Sequence, residues 1–268
     1  MNTENKLDAV DVDESSEKIS FWKKLQTTVF TLAALMISSG QFNDTKELLG
    51  SLYEDVLANF TNSLEYELIE GIHVGNSLAF VKEELGEPYV IKRSSNRPEL
   101  RFQYFSEEKF ELTLITDDER IVGYTVFSKE DGFSPAIPFA EELGEIPLMK
   151  SNDNPSSYFF DVNNLIYFVE AQELGKQQMF LTLVRGFVEY GAVPQTDKVE
   201  DDYNERITDA VRELNDAETF GSESEIDTKL NRIREQVFPN FFAIGEVDAK
   251  VLAESLLTRY EYQMFTQS

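Results

Sequence analysis

From Leu25 to Asn43 the chain runs 19 consecutive residues without an ionisable side chain, and no other feature narrows its folding so far. At about 1.5 Å of rise per residue a helix of this run reaches about 28 Å, close to the hydrocarbon thickness of a bilayer. Trp22, Lys23 and Lys24 stand at its head, where interfacial anchors belong. Val29, Leu32, Leu35 and Met36 are the side chains that would carry it into lipid. Thr27, Thr28, Thr31, Ser38 and Ser39 dilute the run, but their hydroxyls can bond back to helix carbonyls. Residues 21–43 are therefore expected to form a transmembrane anchor helix. The alternative is a soluble protein with residues 25–42 buried in its core.

Residues 1–20 hold six acids, two bases and little apolar content, and read as a disordered acidic tail. A cleaved signal peptide fits poorly, because the leader is long and acidic and no A-x-A site follows. A retained signal anchor fits better. Lys23 and Lys24 precede the run while Asp44, Glu47, Glu54 and Asp55 follow it, which places the tail in the cytoplasm and the remainder in the periplasm. The expected location is the bacterial inner membrane, single-pass. The alternative is a cytoplasmic C-terminal domain.

Charge narrows the choice of partner. There are 50 acidic side chains against 24 basic ones, a net −26. Such a surface repels phosphate backbones, so nucleic acid is not an expected partner. A protein, one with a basic surface in the sharper reading, is expected instead. The chain has no Cys, which excludes disulfides, thiolate chemistry, Cys-ligated zinc and lipoprotein acylation. His73 is the only histidine, so any triad or imidazole metal site would have to use it.

Residues 44–69 read as an amphipathic connecting helix, with Leu48, Leu49, Leu52, Val56 and Phe60 on one stripe. Residues 70–194 read as an α+β antiparallel sheet domain. A short extended piece at Ile72 and Val74 meets a turn at Gly75-Asn76. Ser77 is an N-cap candidate, a helix runs from Leu78 to Leu85, Gly86 closes it and Pro88 prevents its resumption. Strands are expected at Leu100–Phe105, Phe110–Thr116 and Ile121–Ser128. In the second, Phe110, Leu112 and Leu114 point inward and Glu111, Thr113 and Ile115 outward. Further strands are expected at Tyr158–Val162, Leu165–Ala171 and Met179–Tyr190, extending the same sheet. Residues 195–268 read as an acidic helical C-terminal region, with 13 acids and 6 bases between Asp197 and Glu235. Its helices carry Ile207, Val211, Leu214, then Ile226, Leu230, Ile233, Val237, with a break at Gly221-Ser222. A last helix is expected over Val247–Phe265.

Ile72, Val74, Gly75, Ser77, Val81, Leu85, Gly86 and Pro88, followed by a meander, resemble the SmpA/OmlA-like (BamE-like) unit of bacterial envelope proteins. The resemblance covers about residues 70–128 and implies a helix packed on antiparallel strands. The acyl anchor of the lipoprotein members is not implied, because no lipobox Cys is present. The layout of one anchor helix and an α+β domain, with Tyr167, Glu170 and Gly175 ahead of a long aromatic strand, is similar to a bacterial single-anchor family, the ETEC-type domain of unknown function. That likeness implies no reaction.

No cofactor is expected, since no Walker A loop, G-x-G-x-x-G, G-x-S-x-G, H-E-x-x-H or EF-hand loop occurs. Asp117-Asp118-Glu119 reads as a solvated reversal, with oxygen ligation of a divalent cation as the alternative. Glu200, Asp201 and Asp202 read as a helix-start cluster. Glu170 with Glu173, or Glu189 near Arg185, are the carboxylates a hydrolase would use. The leading reading is a non-catalytic binding protein, and the alternatives are a soluble regulatory protein and a carboxylate- or cation-dependent hydrolase.

Overall fold

Each of the six expected strands is present, and two more join them in one eight-stranded antiparallel sheet. The computed structural model describes residues 62–266. The tail, the anchor residues Trp22 to Met36 and most of the connecting helix lie outside the described residues. Among those described, no helix is long and apolar enough to cross a membrane.

The strands are β1 (Val90–Arg93), β2 (Leu100–Ser106), β3 (Phe110–Asp117), β4 (Arg120–Ser128), β5 (Ser157–Asp161), β6 (Tyr167–Glu173), β7 (Thr182–Val188) and β8 (Phe241–Gly245). Their spatial order is β1-β2-β3-β4-β8-β7-β6-β5. Two meanders, β1–β4 and β5–β7, are thus joined by a strand from far along the chain. Ala243 of β8 lies opposite Thr125 of β4 on one side and Val184 of β7 on the other. Residues 195–268 are therefore not helical alone: they supply the centre of the sheet. FFAIG is only five residues long between helices, too brief for a period to stand out.

Helices cover both faces. On the front face, Phe105, Leu112, Leu114, Tyr124, Val126 and Phe242 pack under α1 (Ser63–Glu70), α2 (Leu78–Leu85) and the loop carrying Phe133, Ile137 and Leu143. Further along that face, Phe168 and Phe187 pack under the hairpin of α4 (Tyr203–Phe220) and α5 (Glu223–Gln236), through Ile207, Val211, Leu214 and Ile233. A short α3 (Leu148–Ser151) adds Leu148 to this cluster. The back face, with Tyr104, Phe127, Val184 and Phe241, is covered by α6 (Ala249–Glu254) and α7 (Arg259–Thr266).

The back cover corrects the expected alternation of β3. Glu111, Thr113 and Ile115 are 1%, 4% and 0% exposed, as buried as their inward neighbours. Strand alternation reports which face a residue takes, but not whether a segment far along the chain lies over it.

Several local expectations are met and others change in detail. Ser77 occupies the N-cap position of α2 without a side-chain cap, and the first helical N–H, that of Leu78, donates to the Glu119 carbonyl at 2.7 Å. Ile72 and Val74 form no strand; Val74 opens a turn in which Gly75 takes φ +98, a conformation that favours glycine. Gly86, at φ +76, ends α2 with its N–H donating to the Lys82 carbonyl. Ser222 caps α5 by accepting from the Glu225 N–H. The long last helix is in fact two. Thr258 and Glu261 form a reciprocal capping box, Thr258 N to Glu261 Oε2 at 2.9 Å and Glu261 N to Thr258 Oγ1 at 3.2 Å, which starts α7 afresh. The strand expected from Met179 begins only at Thr182, since Met179 and Phe180 both take left-handed backbone (φ +59 and +56) in the preceding turn.

Candidate functional site

Three places gather chemistry. The first is a closed chamber on the back face around Glu111. Its walls are Tyr104, Thr113, Thr125, Phe127 and Tyr190, and its lid is Ser255 to Leu257. It encloses about 10 Å³, the room one water needs. The Tyr89 hydroxyl donates to Glu111 Oε1, while Oε2 meets no donor in hydrogen-bonding geometry. The other hydroxyls are engaged: Tyr104 donates to the Ser255 carbonyl at 2.8 Å and Tyr190 to that of Leu257 at 3.1 Å. Tyr262 of α7 stacks on Tyr190 with ring centroids 4.1 Å apart. Burial pushes the Glu111 carboxyl up to about 7, against the Tyr89 hydroxyl, the Lys129 ammonium and the Ser106 hydroxyl, which favour the anion. Burial and the facing Glu111 push the Tyr89 phenol far above its usual value.

The second is a buried ion cluster on the front face. Glu170 of β6 and Arg185 of β7 are cross-strand partners, 1% and 2% exposed. Arg234 of α5 brings Nε to 2.5 Å from Glu170 Oε1 and donates from Nη2 to the Asn152 carbonyl at 2.6 Å. Arg185 donates to the Ser151 carbonyl at 2.8 Å and to Gln172 Oε1 at 2.7 Å. Burial lowers the Arg185 pKa and raises that of Glu170, the latter against the pull of Arg234 and Arg185. The cluster ties α3, α5 and the loop after α3 to the sheet through two backbone carbonyls and the Gln172 side-chain oxygen, while Glu170 meets Arg234 as an ion pair without hydrogen-bond geometry. Its geometry is that of a clasp.

The third is open. Between α1 and α2 lies a groove of about 540 Å³ with an apolar floor of Leu64, Leu68, Ile72, Phe80 and Val81. Leu64 and Phe80 are 55% and 52% exposed. The rim is acidic: Glu65, Glu67, Glu84 and Glu107. Glu65 pairs with Lys109 at 2.9 Å. Burial and the nearby Glu65 raise the Glu107 pKa, while Lys129 lowers it.

Most of the residues singled out in the sequence lie outside these places. Glu170 lies in the clasp, but Glu173 projects to the other side of β6 and is exposed, so the two form no pair. Glu189 bonds Arg259 at 2.8 Å and the Ile166 N–H at 3.0 Å, away from Arg185. Asp117, Asp118 and Glu119 form the exposed β3–β4 reversal, with Asp118 at φ +50. Glu200 and Asp202 pair with Arg206, at 2.8 and 3.6 Å. His73 is exposed in the turn between α1 and α2. Among the described residues no group of three or more His, Asp or Glu side chains is arranged to hold a metal ion. The chamber tyrosines and Arg234 carried no sequence signal, because their partners lie 22 to 151 residues away.

Comparison of the chain with family models, with curated proteins and with solved structures gave no match.

Proposed function

We propose that this chain is a membrane-anchored binding protein of the bacterial envelope, without catalysis of its own, whose α+β domain docks a protein partner. The single observation that carries the binding role is the open α1–α2 groove, about 540 Å³ with two large apolar side chains more than half exposed. Exposed apolar surface of that kind is costly in water and marks interaction sites. The buried carboxylates support the non-catalytic side of the reading. Glu111 is closed in by tyrosines and Glu170 is held by Arg234, so each has a structural partner where a hydrolase needs a substrate.

The anchor rests on the uncharged run after Lys24 and on its interfacial Trp22. The sequence pattern from Ile72 to Pro88, which resembles the SmpA/OmlA-like unit of envelope proteins, is the further ground for that compartment. Carbonate washing of membranes from cells making the full-length chain tests it. The chain is expected in the pellet, and its release into the wash would refute the anchor. In the same membranes, crosslinking through a photoreactive residue at position 80 is expected to trap a protein, and the same probe at exposed Phe220 is not.

A further inference from the structure

We propose that the occupant of the α1–α2 groove is a cationic amphipathic helix of a partner protein. The inference deepens the binding role proposed above and rests on it. Its ground is charge complementarity around an apolar floor. Of the rim acids, only Glu65 enters an ion pair among the described residues, with Lys109. Glu67 and Glu84 are exposed, one on each helix, and Glu107 of the β2–β3 turn also lines the groove. The rim therefore presents negative charge on both sides of an apolar strip. A helix offering apolar residues at three- and four-residue steps, flanked by Lys or Arg, satisfies both parts at once.

The dimensions agree. α1 and α2 have eight residues each, about 12 Å of axis, which two to three turns of a partner helix would span. Phe80 and Leu64 are the anchors, since they are large, apolar and half exposed on facing helices.

The same charge disfavours the other occupants. A second copy of this chain would bring a net −26 against an acidic rim. An anionic lipid surface would meet the rim with like charge. A cationic helix gains on approach as well as on contact, because the field of the whole domain steers it.

The test uses the full-length chain in nonionic detergent and a leucine–lysine helical peptide of about three turns. The peptide's lysine-to-glutamate counterpart serves as control. Each variant is compared with the wild type in the same detergent, so that uptake by micelles cancels. The lysine peptide is expected to bind and the glutamate peptide is not. Phe80→Ser, at a half-exposed site, is expected to weaken binding about tenfold or more. Glu67→Lys with Glu84→Lys is expected to do the same, and to confer binding of the glutamate peptide. Asp201→Lys with Glu223→Lys reverses the same number of charges at exposed sites outside the groove and is expected to change affinity less than about twofold.

Equal loss in the rim and remote pairs would overturn the proposal, because attraction would then follow net charge alone. Phe80-dependent dimers in sedimentation, or Phe80-dependent recruitment to phosphatidylglycerol vesicles, would overturn it in favour of a second copy or a lipid surface. Sensitivity to Phe80→Ser with indifference to rim charge would leave a docking groove and remove its cationic occupant. That outcome is distinct from failure of the binding role itself, in which neither Phe80 nor the rim matters.

Discussion

At Glu111 a carboxyl group that strand alternation aims at water instead faces Tyr89, Tyr104, Tyr190 and Tyr262. Its protonation is linked to folding. In the unfolded chain it titrates in the usual carboxylate range, and in the folded protein at about 7. Between those values the folded state holds the extra proton, so stability falls as pH rises through the window and stays lower above it. The displacement corresponds to a loss on the order of 3 kcal/mol. Glu111→Gln keeps an acceptor for Tyr89 and cannot ionise. Denaturant unfolding at pH 5 and at pH 8.5 is expected to show a smaller loss for this variant than for the wild type, by roughly 2–3 kcal/mol. Equal losses would mean that the carboxyl titrates elsewhere. The residue was legible as a strand position, but its environment was not, because the tyrosines come from four separate parts of the chain.

Among the elements, β8 decides most. It closes the gap between two meanders that share no direct strand pairing. Its fit depends on close approach: Gly245 lies opposite Gly123 on β4, and a Cβ at Gly245 would meet the Val122 carbonyl oxygen at 2.8 Å and Leu252 of α6 at 3.3 Å. Neither the backbone contact nor the helix above can yield freely in a packed core. Gly245→Ala is therefore expected to destabilise by about 2 kcal/mol, read as a lowered denaturation midpoint with an unchanged slope. The amphipathic helices were legible from their period, as Ile207, Val211, Leu214 and Ile233 show. The back cover was not: α6 and α7 are six and eight residues long, and the Thr258–Glu261 box that separates them is a signal of only four residues.

Across the whole molecule, negative charge is left far from balanced. The 50 acids outnumber the 24 bases by 26, so no arrangement of ion pairs cancels the excess. Self-repulsion of that size opposes the compact state and is screened by salt. The denaturation midpoint is expected to rise between about 0.05 M and about 0.5 M NaCl, while affinity for a cationic helix in the groove falls over the same range. A midpoint that does not move would mean that the acids are spaced widely enough to ignore one another.

Local rules of the chain determined the α+β class, the strand runs from Leu100 to Val188, the hairpin at Gly221-Ser222 and the end of α2 at Gly86. Each is written within a few residues by side-chain period, capping or turn chemistry. Tertiary structure alone decided the place of β8, the burial of Glu111, the pairing of Glu170 with Arg234 and the opening of a groove between α1 and α2. Those depend on which distant segments meet, and a period of two or 3.6 residues carries a face but not the identity of what covers it.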